Sequence, residues 1–172
     1  MKYDLYKKLY EKNAAFFKAR PILIKALPWA DKAVSGFFFI SYATLCLYVI
    51  MQKVSVDAYM GVFFPPLLCL LMVTVLRMAL ERPRPYTEQG AHITPLVEKK
   101  RGDLQSFPSR HVASAVVIAS VFLPFFPTVS WALYFLSGVL AYLRFSMGFH
   151  YPSDLLAGGL IGLFAGCILS IF

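Results

Sequence analysis

Apolar residues run in long blocks from about residue 33 onward, whereas the first twenty residues follow a different rhythm. In MKYDLYKKLYEKNAAFFKAR, Leu5, Tyr6, Leu9, Tyr10, Phe16 and Phe17 recur at three- and four-residue steps, and Lys7, Lys8, Glu11, Lys12 and Lys18 fill the other face. That period predicts an amphipathic helix lying in the membrane interface, within a segment 1–27 and ended by Pro21. The later blocks predict five transmembrane helices at about 33–52, 58–81, 109–126, 128–147 and 153–172. Pro65 and Pro66 are expected to kink the second. Gly158, Gly162 and Gly166 form a stripe of small residues in the fifth, a pattern that lets membrane helices approach closely.

The fold class expected is therefore all-α: a polytopic membrane helix bundle of about five transmembrane helices plus an N-terminal interfacial amphipathic helix. Composition agrees. Hydrophobic residues make up 59% of the 172 and charged residues only 15%, at a mean hydropathy of +0.64, which excludes an ordinary soluble domain. The length leaves space for one domain, 1–172, and no separate soluble one. A cleavable signal peptide is not expected, because the charged stretch is too long and no small-residue cleavage site follows the apolar run. Cys46, Cys69 and Cys167 fall in different apolar blocks and read as packing residues. A net charge of +8 would suggest nucleic acid in a soluble protein. In a membrane chain it points to the lipid bilayer's anionic headgroups or to an anionic substrate, and no nucleic-acid partner is expected.

Five alternating spans put the N-terminus, the long 82–107 loop and the fourth-to-fifth connection on one side. On that side gather Arg77 and Glu81 at the end of span two, Ser109, Arg110 and His111 opening span three, Arg144 ending span four, and His150 and Asp154 flanking the start of span five. Two histidines and an aspartate suggest a metal at first sight, but the arginines at 77, 82, 84, 110 and 144 oppose a divalent cation. An anion fits better, and the planar arginine fork suits phosphate, as do the N–H groups that open a helix. In HYPSD, Pro152 belongs in the first helical turn, which leaves His150 just before it and Asp154 just inside. The carboxylate is placed to hold one imidazole nitrogen and leave the other to attack, and His111 is placed to protonate a leaving alkoxide. Arg82 and His92 read as solvated loop residues, and Lys99, Lys100 and Arg101 as a charge run facing headgroups.

The spacing Arg77-x6-Arg84-Pro85, then Pro108-Ser109-Arg110-His111, then Arg144-x5-His150-x3-Asp154 resembles the three-part signature of the type 2 phosphatidic acid phosphatase superfamily of membrane lipid phosphatases. The resemblance covers a core of about 77–160. It implies that His150 is the nucleophile, forming a phosphohistidine, with Asp154 orienting it. It implies that His111 is the general acid and then the base, that Arg77, Arg84, Ser109 and Arg144 bind phosphoryl oxygens, and that no metal or other cofactor takes part. Arg110 stands where the family usually has glycine and joins the phosphate-binding set as an extra cation. Arg77 replaces a usual lysine, Leu143 a usual serine, and the interfacial helix stands where familiar members have a further span.

The function expected is metal-independent hydrolysis of a phosphomonoester or diphosphate on a membrane lipid: phosphatidic acid, phosphatidylglycerol phosphate or polyprenyl diphosphate. A non-catalytic lipid-phosphate binder or transporter, and a lipid phosphotransferase, are the alternatives. An integral protein of the cell membrane is expected. Nearly all Lys and Arg lie on the site side and only Lys53 opposite, which favours a cytoplasmic site; the habit of bacterial relatives favours the outer face. The sequence sets no oligomeric state.

Overall fold

The computed structural model describes residues 3–98 and 105–168, and every regular element among them is a helix: α1 (Asp4–Lys18), α2 (Pro21–Met51), α3 (Val56–Leu80), α4 (Arg110–Phe122), α5 (Pro127–Ser146) and α6 (Pro152–Cys167). The run Lys99, Lys100, Arg101 and the end of the expected fifth span lie outside the described residues.

Among the described residues three helices, α2, α3 and α5, are long and apolar enough to cross a membrane, while α4 and α6 are shorter. Helix length and composition thus support three of the five expected spans among the described residues. At 13 residues α4 is about 20 Å long, against a hydrocarbon core of about 30 Å. Packing explains how so short a helix is tolerated. From Ala115 to Phe122 every residue of α4 is buried, with α6, α5, α3 and α2 around it. Over this buried stretch the helix has protein neighbours in place of lipid and no bilayer thickness to match. The long helices instead expose Ile22, Phe39, Ile40, Leu47, Leu67, Leu71 and Phe135, as outward faces in hydrocarbon do.

The N-terminal region departs from expectation. Pro21 does not merely end the interfacial segment; it opens α2, where the first helical turn has no use for the missing N–H. Residues 21–27 thus belong to a helix of 31 residues rather than to a surface segment. The buried face of α1 is Tyr6, Tyr10, Ala14 and Phe17, and it packs on protein. Tyr10 donates to the Thr94 carbonyl at 3.1 Å and accepts from the Leu96 N–H at 3.0 Å, and both Tyr6 and Tyr10 meet the Phe145 ring edge-on. Leu5, Leu9 and Phe16 remain exposed on another side.

The glycine stripe brings α6 onto α4. A Cβ at Gly158 would sit 2.6 Å from the Ser109 carbonyl oxygen and one at Gly162 2.6 Å from that of Ala113, while one at Gly166 would overlap the Ser120 side chain. Only glycine permits this approach. It draws together the N-terminal ends of the two helices: the Ser109 N–H donates to the Asp154 carbonyl at 2.9 Å. The loop before α4 is tied to the α5–α6 connection, with the Ala91 N–H donating to the Tyr151 hydroxyl at 3.0 Å. Within that connection Gly148 adopts φ +80, beside the Tyr10 hydroxyl. A side chain there would be both strained and blocked.

Candidate active site

The chain turns from α5 into α6 through Gly148, Phe149, His150 and Tyr151, and this turn carries the imidazole. His150 is 1% exposed and Asp154 fully buried. Nδ1 of His150 lies 2.8 Å from the Ser106 carbonyl oxygen and 3.7 Å from Oδ2 of Asp154. The first is a hydrogen bond and the second an ion-pair separation. A carbonyl can only accept, so Nδ1 carries the proton and the neutral ring keeps its lone pair on Nε2. The sequence reading had Asp154 hold the ring. In the structure the Ser106 carbonyl makes the direct bond and Asp154 acts on it at one remove.

Asp154 is surrounded by donors. Its Oδ2 accepts from the Ser106 hydroxyl at 2.5 Å and from the Tyr151 N–H at 3.0 Å, and its Oδ1 from Nη1 of Arg82 at 2.6 Å. The Tyr151 bond caps the start of α6. Arg82 is therefore no solvated loop residue. It also donates to the Ser153 hydroxyl at 2.9 Å, and its guanidinium stacks 4.3 Å from the centre of the Tyr151 ring. α3 ends at Glu81 in a left-handed conformation, and the chain turns there so that Arg82 faces α6.

The other expected residues are placed as follows. Arg77, near the end of α3, donates from Nε to the Pro108 carbonyl at 3.0 Å. Arg84, 3% exposed, reaches the Phe149 carbonyl at 2.9 Å and the Gln105 carbonyl at 3.1 Å. Arg84 thus fastens the backbone next to His150, and Arg77 the turn three residues before His111. Ser109 is buried, and its hydroxyl has no hydrogen-bond partner among the described residues. Arg144 is buried and paired with Asp31 of α2: Nε lies 2.6 Å from Oδ1, and Nη2 donates to Oδ2 at 2.8 Å. The first contact is close but its N–H points off the oxygen, so only the second is a directed hydrogen bond. Arg110 and His111 are exposed and line a cavity of about 450 Å³ with Ser35, Phe38, Tyr42, Pro66, Leu70 and Leu140 among its walls. Arg84, Arg110 and Arg144 all press electrostatically on Arg77, and such a cluster of like charges favours an anion. No group of three or more His, Cys, Asp or Glu side chains suited to a metal ion occurs among the described residues.

Sequence reading missed Asp31, Ser106 and the pairing of Arg82. Asp31 carried a usable signal, an acid inside an apolar helical run, but the first span was begun at residue 33 and left it outside. Ser106 had none.

The PAP2 superfamily is matched over residues 58–172. Two solved structures share the fold. LpxE of Aquifex aeolicus superposes with a TM-score of 0.67 at 24% identity, over 96% of this chain and 94% of that one. The first transmembrane PAP2 type phosphatidylglycerolphosphate phosphatase from Bacillus subtilis superposes with a TM-score of 0.63 at 22% identity, over 96% and 86%. No curated protein matches the chain significantly.

Proposed function

The chain belongs to the PAP2 superfamily, and from that premise we propose that it is a membrane lipid phosphatase working through a phosphohistidine on His150. The single observation that carries the lipid reading is the cavity at the start of α4. Its walls are Phe38, Tyr42, Pro66, Leu70 and Leu140, and the same space touches Arg110 and His111. A substrate with an apolar tail and an anionic head matches both parts, whereas a water-soluble phosphate ester gains nothing from the apolar walls.

In the proposed reaction Nε2 of His150 attacks phosphorus and the bond from phosphorus to the lipid oxygen breaks. The leaving oxygen takes a proton from His111. Nδ1 keeps its proton, and the positive ring of the phosphohistidine is stabilised by the Ser106 carbonyl and, through its charge, by Asp154. The neutral His111 then removes a proton from water, the new hydroxide attacks phosphorus, and the P–N bond breaks to return the electron pair to Nε2. Arg77, Arg84, Arg110 and Arg144, with the hydroxyl of Ser109, oppose the charge on the phosphoryl oxygens during both steps.

Phosphate release from phosphatidic acid, phosphatidylglycerol phosphate and polyprenyl diphosphate in detergent tests this directly. Wild type is expected to release phosphate from at least one, and His150→Ala to reduce release by at least about a thousandfold. Equal release by the two proteins would remove His150 as nucleophile. Product that depends on an added lipid acceptor rather than on water would make the protein a phosphotransferase.

A further inference from the structure

Asp31 stands outside the region that matches the family, 58–172, yet its carboxylate touches a signature arginine. It lies one turn beyond Pro28 in α2, is 8% exposed, and holds Arg144 at 2.6 and 2.8 Å. An acid buried in an apolar helix is costly to keep without a purpose. A guanidinium offers donors along two edges, and a bidentate grip on phosphate needs both nitrogens of one edge. Asp31 occupies the edge formed by Nε and Nη2, so Nη1 is turned the other way. The charge balance points in the same direction. Asp154 is already engaged by Arg82, Ser106 and the Tyr151 N–H, and Asp31 adds a second negative charge beside a cluster of arginines.

We propose that Asp31 is a positioning residue for the phosphate site: it grips one edge of Arg144, aims Nη1 at a phosphoryl oxygen, and competes with the bound anion for the rest of the fork. The competition limits how tightly the phosphate product is held, so that it leaves between turnovers. The identity of the anion rests on the lipid phosphatase reading; the way Arg144 is held does not.

Binding of inorganic phosphate to the full chain in detergent, measured by calorimetry, tests the idea without requiring turnover. Asp31→Asn is expected to tighten phosphate binding about tenfold, since it removes the negative charge that competes with the anion for the guanidinium. Arg144→Gln should weaken binding, and the double variant should match Arg144→Gln alone if Asp31 acts on the anion through that arginine. In turnover, Asp31→Asn should lower kcat and KM together as product release slows, and Asp31→Glu should restore both towards wild type. An unchanged phosphate Kd in folded Asp31→Asn, or single effects that add in the double variant, would overturn the proposal. Asp31→Ser gives the same reading if the Asn variant does not fold. If neither neutral variant folds while Asp31→Glu does, the pair is a structural one and the proposal fails. Absence of phosphate release by wild type would sink the lipid phosphatase reading instead, and the binding series would still decide the role of Asp31.

Discussion

The placement of His150 depends on the atoms behind it. Its ring is held by a backbone carbonyl, Ser106 carries that carbonyl, and the Ser106 hydroxyl is bonded to Asp154. Losing the Asp154 charge should therefore disturb the ring, the Ser106 segment and the α6 cap together. Asp154→Asn is expected to lower kcat by roughly a hundredfold with a smaller change in KM, read by steady-state phosphate release. Arg82→Ala should cost less, about tenfold, because its side chain is 30% exposed and water can partly replace it. Arg110 gives a sharper test of specificity. Arg110→Gly is expected to lose diphosphate substrates more than monophosphates, since an extra cation matters most for the more highly charged head; equal losses on both would remove that role. The legibility of these residues followed the kind of contact each makes. His111, His150 and Asp154 stood out because their type and spacing name a chemistry. Ser106 acts through its carbonyl, which every residue has, and Asp31 is separated from Arg144 by more than a hundred positions, so spacing along the chain could not join them.

At the scale of elements, helix periodicity predicted where α3 and α5 lie to within a few residues, because lipid demands apolar length. It also located α4 and α1 to within a few residues but missed the first twelve residues of α2, and it did not show that the apolar face of α1 meets the loop. That meeting has a measurable strength. Tyr10→Phe removes one hydroxyl that serves two loop groups and is expected to destabilise the protein by about 1–2 kcal/mol in thermal unfolding. Burial pushes the Tyr10 hydroxyl from 10.0 up to about 12, against a smaller opposing pull from the Leu96 N–H. A raised folded value means that this contribution is complete below pH 10 and is lost as pH climbs through about 12. Tyrosinate absorbance followed alongside thermal stability should show the two changing together, and Tyr10→Phe should lose that part of the pH dependence. Gly158→Ala places its new carbon against the Ser109 carbonyl, so it should lower both Tm and kcat by pushing α4 away from α6.

For the whole molecule, the signature residues gather at one end of the helix bundle, at the ends of α3 and α5 and the starts of α4 and α6. Which side of the membrane that end faces is testable with a single cysteine placed in the loop between α3 and α4, in a background lacking Cys46, Cys69 and Cys167. With sealed vesicles of known sidedness, protection from an external reagent supports the cytoplasmic placement that the Lys and Arg bias favours, and labelling supports the outer face.

The enclosure of α4 also bears on how the protein meets membranes of different kinds. Hydrophobic mismatch acts on helices in contact with acyl chains, which tilt or thin the bilayer around them to adapt. α2, α3 and α5 present such surfaces, whereas α4 from Ala115 to Phe122 is buried behind them. Changing lipid chain length should then reach the site through α3 and α5, which carry Arg77 and Arg144, so that kcat follows the tilt and stability of these outer helices. Reconstitution into a series of bilayers of increasing thickness, with kcat and Tm measured in each, should show kcat falling where Tm falls, and a constant kcat would mean that the site is insulated from helix tilt.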